Sequence, residues 1–195
     1  MSSLLFFKRL CTTLALLVAC NVTLAEQTIK IQFAKTSTSG QETLNAQTVF
    51  DRHGDALRRV LLSFQDYADL HPWITEVTLV KPTAGEKPEF LLRFKFPWPV
   101  GERWSRIEVN TDYRNSIIWR QVEGTMTANE GQLKFVADGQ SIRVDYSAII
   151  NVGLPNILTR GLKKRFVKEF IGAAHTLATE FDTTSLRFAD SSSGR

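Results

Sequence analysis

The chain has 195 residues, 43% hydrophobic and 23% charged, which is ordinary globular composition and enough length for one sizeable domain. The formal charge of +4 falls to +2 once Lys8 and Arg9 of the leading segment are set aside, too weak a field to single out nucleic acid as a partner. Both cysteines, Cys11 and Cys20, lie in that same segment, so the rest of the chain has no disulfide to hold it and must rely on a packed core.

Residues 1–25 read as a targeting segment. Lys8 and Arg9 precede an apolar stretch over 10–19 that is too short to span a bilayer and has the length of a signal-peptide core. Export to a bacterial periplasm is the expectation. Two processing sites compete. Thr23-Leu24-Ala25 would release a soluble protein starting at Glu26, whereas Leu17-Val18-Ala19-Cys20 resembles a lipobox, in which Cys20 becomes an acylated membrane anchor.

The chain from residue 26 onward reads mostly as strands. Residues 28–35 (TIKIQFAK) alternate Ile29, Ile31 and Phe33 on one face, and a second strand over 42–50 follows a Ser/Thr/Gly turn. Over 51–64 the period changes: Leu57, Val60, Leu61 and Phe64 fall at helical spacing, with Asp51 as a candidate N-cap. Pro72 then blocks helix continuation. Strands are expected at 75–81, 89–96, 103–111, 116–123, 132–137 and 140–151, with connectors at 83–88, at Glu130-Gly131 and at Asp138-Gly139, the last a strong hairpin signal.

The segment FKFPWPVGERW at 94–104 ends one strand with two prolines bracketing Trp98. Proline cannot donate to a ladder, so the pair predicts a stiff corner that presents Trp98. The last predicted element is a helix over 155–181, about 40 Å long. Leu158, Leu162, Phe166, Phe170, Ala173, Leu177 and Phe181 define its apolar arc, and Arg160, Lys164 and Lys168 repeat every four residues on the opposite face, with Ile171 among them. Gly161 and Gly172 share one side of the helix outside the arc, where they would loosen it or admit a close neighbour. Residues 186–195 read as a disordered tail.

In chain order, two strands, two short helices, six antiparallel strands and a long final helix resemble the START-like, helix-grip superfamily over roughly 28–181. Three stretches carry the resemblance: residues 64–73 (FQDYADLHPW), which look like the family's aromatic-Asp stretch leading to Pro; Pro97-Trp98-Pro99-Val100-Gly101-Glu102-Arg103, which resembles the Pro-Val-x-x-Arg turn of START lipid-transfer domains; and Gly153-Leu154-Pro155 before the final helix. Trp104 stands where an Asp commonly follows the Arg. The resemblance implies an α+β helix-grip domain over residues 26–185, in which a curved antiparallel sheet wraps around the long last helix and leaves an apolar cavity. Members of the lipid-transfer branch and of the branch named for coenzyme Q binding hold lipids or quinones. Candidate cavity walls are Trp73, Phe94, Phe96, Trp98, Trp104, Trp119, Phe135, Tyr146, Leu158, Leu162, Phe166 and Phe170.

The function expected is a monomeric, non-catalytic carrier of a hydrophobic small molecule, a lipid or a quinone. Its second partner would be a membrane surface, met transiently through Arg160, Lys164 and Lys168 or permanently through Cys20. No cofactor and no metal site is expected, because His53, His71 and His175 have no paired spacing; no Gly-rich phosphate loop or nucleophile elbow occurs. His71 could serve as a general base but reads as a histidine satisfied by nearby backbone, and Glu169 could present a carboxylate to the tunnel for a polar head group but reads as the partner of Arg165 one turn earlier. A polyketide cyclase or aromatase is the alternative, and an envelope interaction module with a filled interior is a third reading.

Overall fold

Inward-facing residues along the strands are large and apolar at every second position, so each strand buries one face. In a computed structural model that describes residues 28–36, 41–51, 54–81, 87–112, 115–139 and 141–192, these strands form one antiparallel sheet. The targeting segment, both processing sites and Cys20 lie outside those residues. The strands are β1 (Lys30–Lys35), β2 (Glu42–Asp51), β3 (Ile74–Lys81), β4 (Glu89–Lys95), β5 (Glu102–Asp112), β6 (Ser116–Gly124), β7 (Ala128–Asp138) and β8 (Ser141–Asn151). Their order across the sheet is β1-β2-β8-β7-β6-β5-β4-β3. Between β2 and β3 come α1 (Gly54–Leu62), a single 3-10 turn (Phe64–Asp66) and α2 (Tyr67–Leu70), and the final helix, α3 (Asn156–Ser192), follows β8.

The core is the inner face of the sheet closed by the helices. Leu44, Ala46 and Phe50 from β2, Phe90, Leu92 and Phe94 from β4, Ile107 and Val109 from β5, and Val144, Tyr146 and Ala148 from β8 are all buried there. Asp138 pairs with Ser141 across the β7–β8 hairpin, and Gly139 takes a φ of 61°, which a glycine adopts at no steric cost.

Four expectations are corrected. Asp51 ends β2 instead of capping a helix, since α1 begins only at Gly54. Glu130 and Gly131 lie inside β7, and the connector before it is residues 125–127. Gly131 is small for steric reasons, because a Cβ there would sit 2.5 Å from Trp119 Cζ2 and 2.5 Å from the Ser147 carbonyl oxygen. Helix α3 runs beyond residue 181 to Ser192, so residues 186–192 are helical.

The fourth correction concerns which face of α3 is buried. Thr159, Lys163, Val167, Phe170, Ile171, Ala174 and Ala178 are the buried positions, an arc turned by roughly 80° from the one that the large apolar residues define at 100° per residue. Fully buried Ala174 and Ala178 allow α1 to approach closely, while Phe181 is left exposed. Ile171 is therefore core, not part of a basic surface. Gly161 and Gly172 have no neighbour within 4 Å of where a Cβ would stand, so neither admits a close contact.

Candidate functional site

A narrow, mostly apolar cavity of about 80 Å³ lies between the sheet and α3. Phe94 and Phe96 stack with ring centres 5.3 Å apart on β4 and just beyond it, and Trp119 and Tyr146 face each other at 5.7 Å from β6 and β8. From α3, Phe166 and Phe170 complete the wall. Phe166 is the centre of an aromatic cluster: its ring lies 6.2 Å from those of Trp73, Phe96 and Phe170, and 4.4 Å from the His71 imidazole.

Six of the twelve residues expected to line a cavity therefore do: Phe94, Phe96, Trp119, Tyr146, Phe166 and Phe170. The rest do not. Trp73 is buried behind Phe96 and Phe166, with the Arg165 guanidinium 5.4 Å from its ring centre. Phe135 is core under the Arg58 guanidinium, and Leu162 packs against the core without reaching the cavity. Trp104 alternates with half-buried Arg103 and buried Ser105 and so points to the outer face of the sheet. Trp98 is 90% exposed in the turn after β4, and Leu158 is 58% exposed because the buried arc of α3 is turned away from it.

Sequence reasoning missed the polar lining. Lys163 is only 7% exposed and borders the cavity, as do Asn129 and Tyr67, beside the expected Tyr146. Lys163 Nζ donates to Asn156 Oδ1 at 2.9 Å; burial pulls its ammonium below the ordinary lysine range, a shift that nearby Glu42 opposes. Trp119 Nε1 donates to Asn129 Oδ1 at 3.2 Å, and the Tyr67 hydroxyl donates to the Leu61 carbonyl at 2.5 Å. Burial pushes both phenols well above their usual value, so they remain neutral. A lysine on a helix otherwise read by its large apolar residues is the one signal that could have pointed here, since its aliphatic stem can lie along a core.

Beside the aromatic cluster, His71 is completely buried. Its Nδ1 accepts the Trp73 backbone N–H at 3.1 Å, the local satisfaction expected of it. Its Nε2 lies 3.3 Å from Glu169 Oε2, close but not aligned as a hydrogen bond, while Glu169 Oε1 accepts from Arg165 Nε at 2.6 Å. Burial lowers the His71 pKa, with Glu169 opposing. A group depressed in the folded state stabilises fully above its unfolded pKa, about 6.5, and loses that contribution as pH falls below it. The urea midpoint of wild type is thus expected to drop between pH 7 and 5.5 more steeply than that of His71→Asn, which keeps an acceptor for Trp73 but cannot titrate. Equal slopes would exclude His71 as the source.

Arg160 binds both oxygens of Glu42, through Nε at 3.0 Å and through Nη2, and its guanidinium lies 5.6 Å from the Phe33 ring centre. It is tied to the sheet edge and is not a free member of a basic stripe; Lys164 and Lys168 are exposed. Among the described residues, no group of three or more His, Cys, Asp or Glu side chains is placed to hold a metal ion, and no helix is long and apolar enough to cross a membrane.

No protein-family model and no curated protein matches the sequence. Solved structures match its fold. A START superfamily protein from Mycobacterium smegmatis superposes with a TM-score of 0.59 at 14% identity over 73% of this chain and 99% of its own. The fold is the START-like helix grip. A STAR-related lipid transfer protein from Xanthomonas axonopodis shares it at 17% identity and a TM-score of 0.57, over 77% and 93% of the two chains. The Zhui aromatase/cyclase from a Streptomyces species does so at 16% identity and 0.57, over 71% and 94%. Within the helix grip, residues 64–73 form the 3-10 turn, α2 and the lead into β3, Pro99 to Gly101 close the β4–β5 turn with Glu102 and Arg103 opening β5, and Gly153-Leu154-Pro155 lead into α3.

Proposed function

We propose that the chain is an exported carrier that shields the apolar part of a lipid or quinone inside the helix grip without altering it chemically. The observation that carries this reading is the aromatic cavity itself. Its volume of about 80 Å³ is far below the ~300 Å³ of pockets that engulf drug-sized ligands, so one slender chain is favoured over a two-tailed lipid. The lipid-transfer proteins among the structures with this fold support a carrier.

Loading from a bilayer extends the proposal, through a different surface from the basic stripe. Trp98 is 90% exposed and Ile157 81% exposed; Arg103, beside the Trp98 turn, donates to the Val152 carbonyl just before α3, which brings the two exposed apolar residues to one end of the molecule. An exposed tryptophan beside an aliphatic side chain suits the interface of a membrane. Export by the leading segment, ending either at Ala25 or at an acylated Cys20, would put the carrier where such a membrane lies.

A cyclase is the second reading, favoured by the Lys163, Asn129 and Tyr146 side chains in the cavity and by aromatase/cyclases with the same fold. One measurement tests the main reading. Native mass spectrometry of the protein purified from a bacterial envelope is expected to give a mature mass starting at Glu26 or at an acylated Cys20, plus one co-purified apolar molecule of unchanged structure. A full-length unprocessed mass would sink the export reading; a ligand-free protein that binds no member of a phospholipid, fatty-acid and quinone panel would sink the carrier.

A further inference from the structure

We propose that the cavity takes a single-chain amphiphile whose head group is a carboxylate, held by Lys163 and Asn129, with the chain lying among Trp119, Tyr146, Phe166 and Phe170. This deepens the carrier reading and rests on it. The argument is an inventory of donors and acceptors. Lys163 is 7% exposed and spends one N–H on Asn156 Oδ1, which leaves two ammonium protons uncommitted among the described residues. The Asn129 carbonyl oxygen is taken by Trp119, so its unspent half is the NH₂ donor. The Tyr146 hydroxyl is a further donor with no partner among the described residues.

Unspent acceptor capacity is scarce in the same space. Among the described residues no carboxylate lines the cavity, and Glu42, the acid whose field reaches Lys163, has both oxygens bonded by Arg160. A buried cation without a committed counter-charge is costly, and an anionic ligand oxygen removes that cost by pairing with it. One cation matches one negative charge. A quinone carbonyl would leave the ammonium uncompensated, and a phosphate monoester would bring more charge than Lys163 balances.

The polar groups also sit together. Asn129 is the register partner of Ile150, which itself lines the cavity, and Lys163 reaches back to Asn156, six residues beyond Ile150. This is the end that carries Ile157 and, through Arg103, the Trp98 turn. A head group at Lys163 therefore lies toward the proposed loading end, with the chain directed inward.

The test compares decanoate with 1-decanol, which share a chain and differ in the head, by titrating the tryptophan emission of the purified protein. Wild type is expected to bind decanoate about tenfold or more tighter than 1-decanol, the gain that a charge-assisted hydrogen bond supplies. Lys163→Met should erase that preference by weakening decanoate while leaving 1-decanol within about twofold. If wild type binds 1-decanol as well as decanoate, or if Lys163→Met keeps the preference, the head-group assignment falls and the carrier reading stands. If neither probe binds, the head-group assignment falls, and the carrier reading is decided by the phospholipid, fatty-acid and quinone panel. The wild-type comparison needs no variant, so a Lys163→Met protein that failed to fold would not spare the proposal.

Discussion

Phe166→Asp is expected to abolish binding of any apolar probe and to cost the folded chain about 3 kcal/mol or more. The ring is the hub between α3 and the strands: it touches His71, Trp73, Phe94, Phe96 and Phe170, with ring centres from 4.4 to 6.4 Å away. Removing a half-buried aromatic ring loses part of the contact energy that a fully buried one would, so truncation alone accounts for roughly 2 kcal/mol. The carboxylate adds the cost of a charge facing five rings, with Glu169 one turn away on the same helix adding repulsion. Phe166→Leu is the control: it keeps an apolar side chain, should cost roughly 1–2 kcal/mol, and should keep measurable binding. Urea unfolding and probe titration read the two effects separately. An Asp variant as stable as wild type would mean that the ring does not hold the helix to the sheet.

The strands and the long helix were legible because they rest on short-range pattern. Alternation in Ile29, Ile31 and Phe33, or in Phe90, Leu92 and Phe94, needs no knowledge of the partner strand, and Asp138-Gly139 announces its own hairpin. What was not legible depends on the neighbour across a contact. The helical wheel of α3 weights large apolar residues, yet the face that meets α1 is selected for close approach, and Ala174 and Ala178 serve that better than Phe181. Lys163 falls in the turned arc for the same reason, and so was missed together with the polar end of the cavity. Tryptophans misled in both directions. Trp119 lines the cavity, while Trp98 and Trp104 point out of it, and no local pattern separates a wall from a surface aromatic when each flanks an alternating strand.

Gly131 shows what such cross-strand dependence costs when it is broken. It looked like turn punctuation, but it stands in β7 opposite Trp119 on β6 and Ala148 on β8. Any side chain there would place its Cβ 2.5 Å from Trp119 Cζ2, 2.5 Å from the Ser147 carbonyl and 2.8 Å from the Ala148 Cβ, all below the closest approach of real carbon atoms. Gly131→Ala is accordingly expected to cost about 1–3 kcal/mol by overpacking, and Gly131→Leu more, as the strands are forced apart. The indole is the most mobile of the three obstacles, so it should give way first. Once it turns, Trp119 Nε1 loses Asn129 Oδ1, now at 3.2 Å, and the cavity loses one wall together with the group that orients its polar end. Gly131→Ala should therefore shift tryptophan emission and weaken apolar probe binding along with stability. A double-mutant cycle with Trp119→Leu decides where the strain resides. If the indole takes it, the cost of Gly131→Ala shrinks in the Trp119→Leu background, a coupling of about 0.5–3 kcal/mol. Strictly additive costs would place the strain in the β8 backbone at Ser147 and remove Gly131 from any role in shaping the cavity.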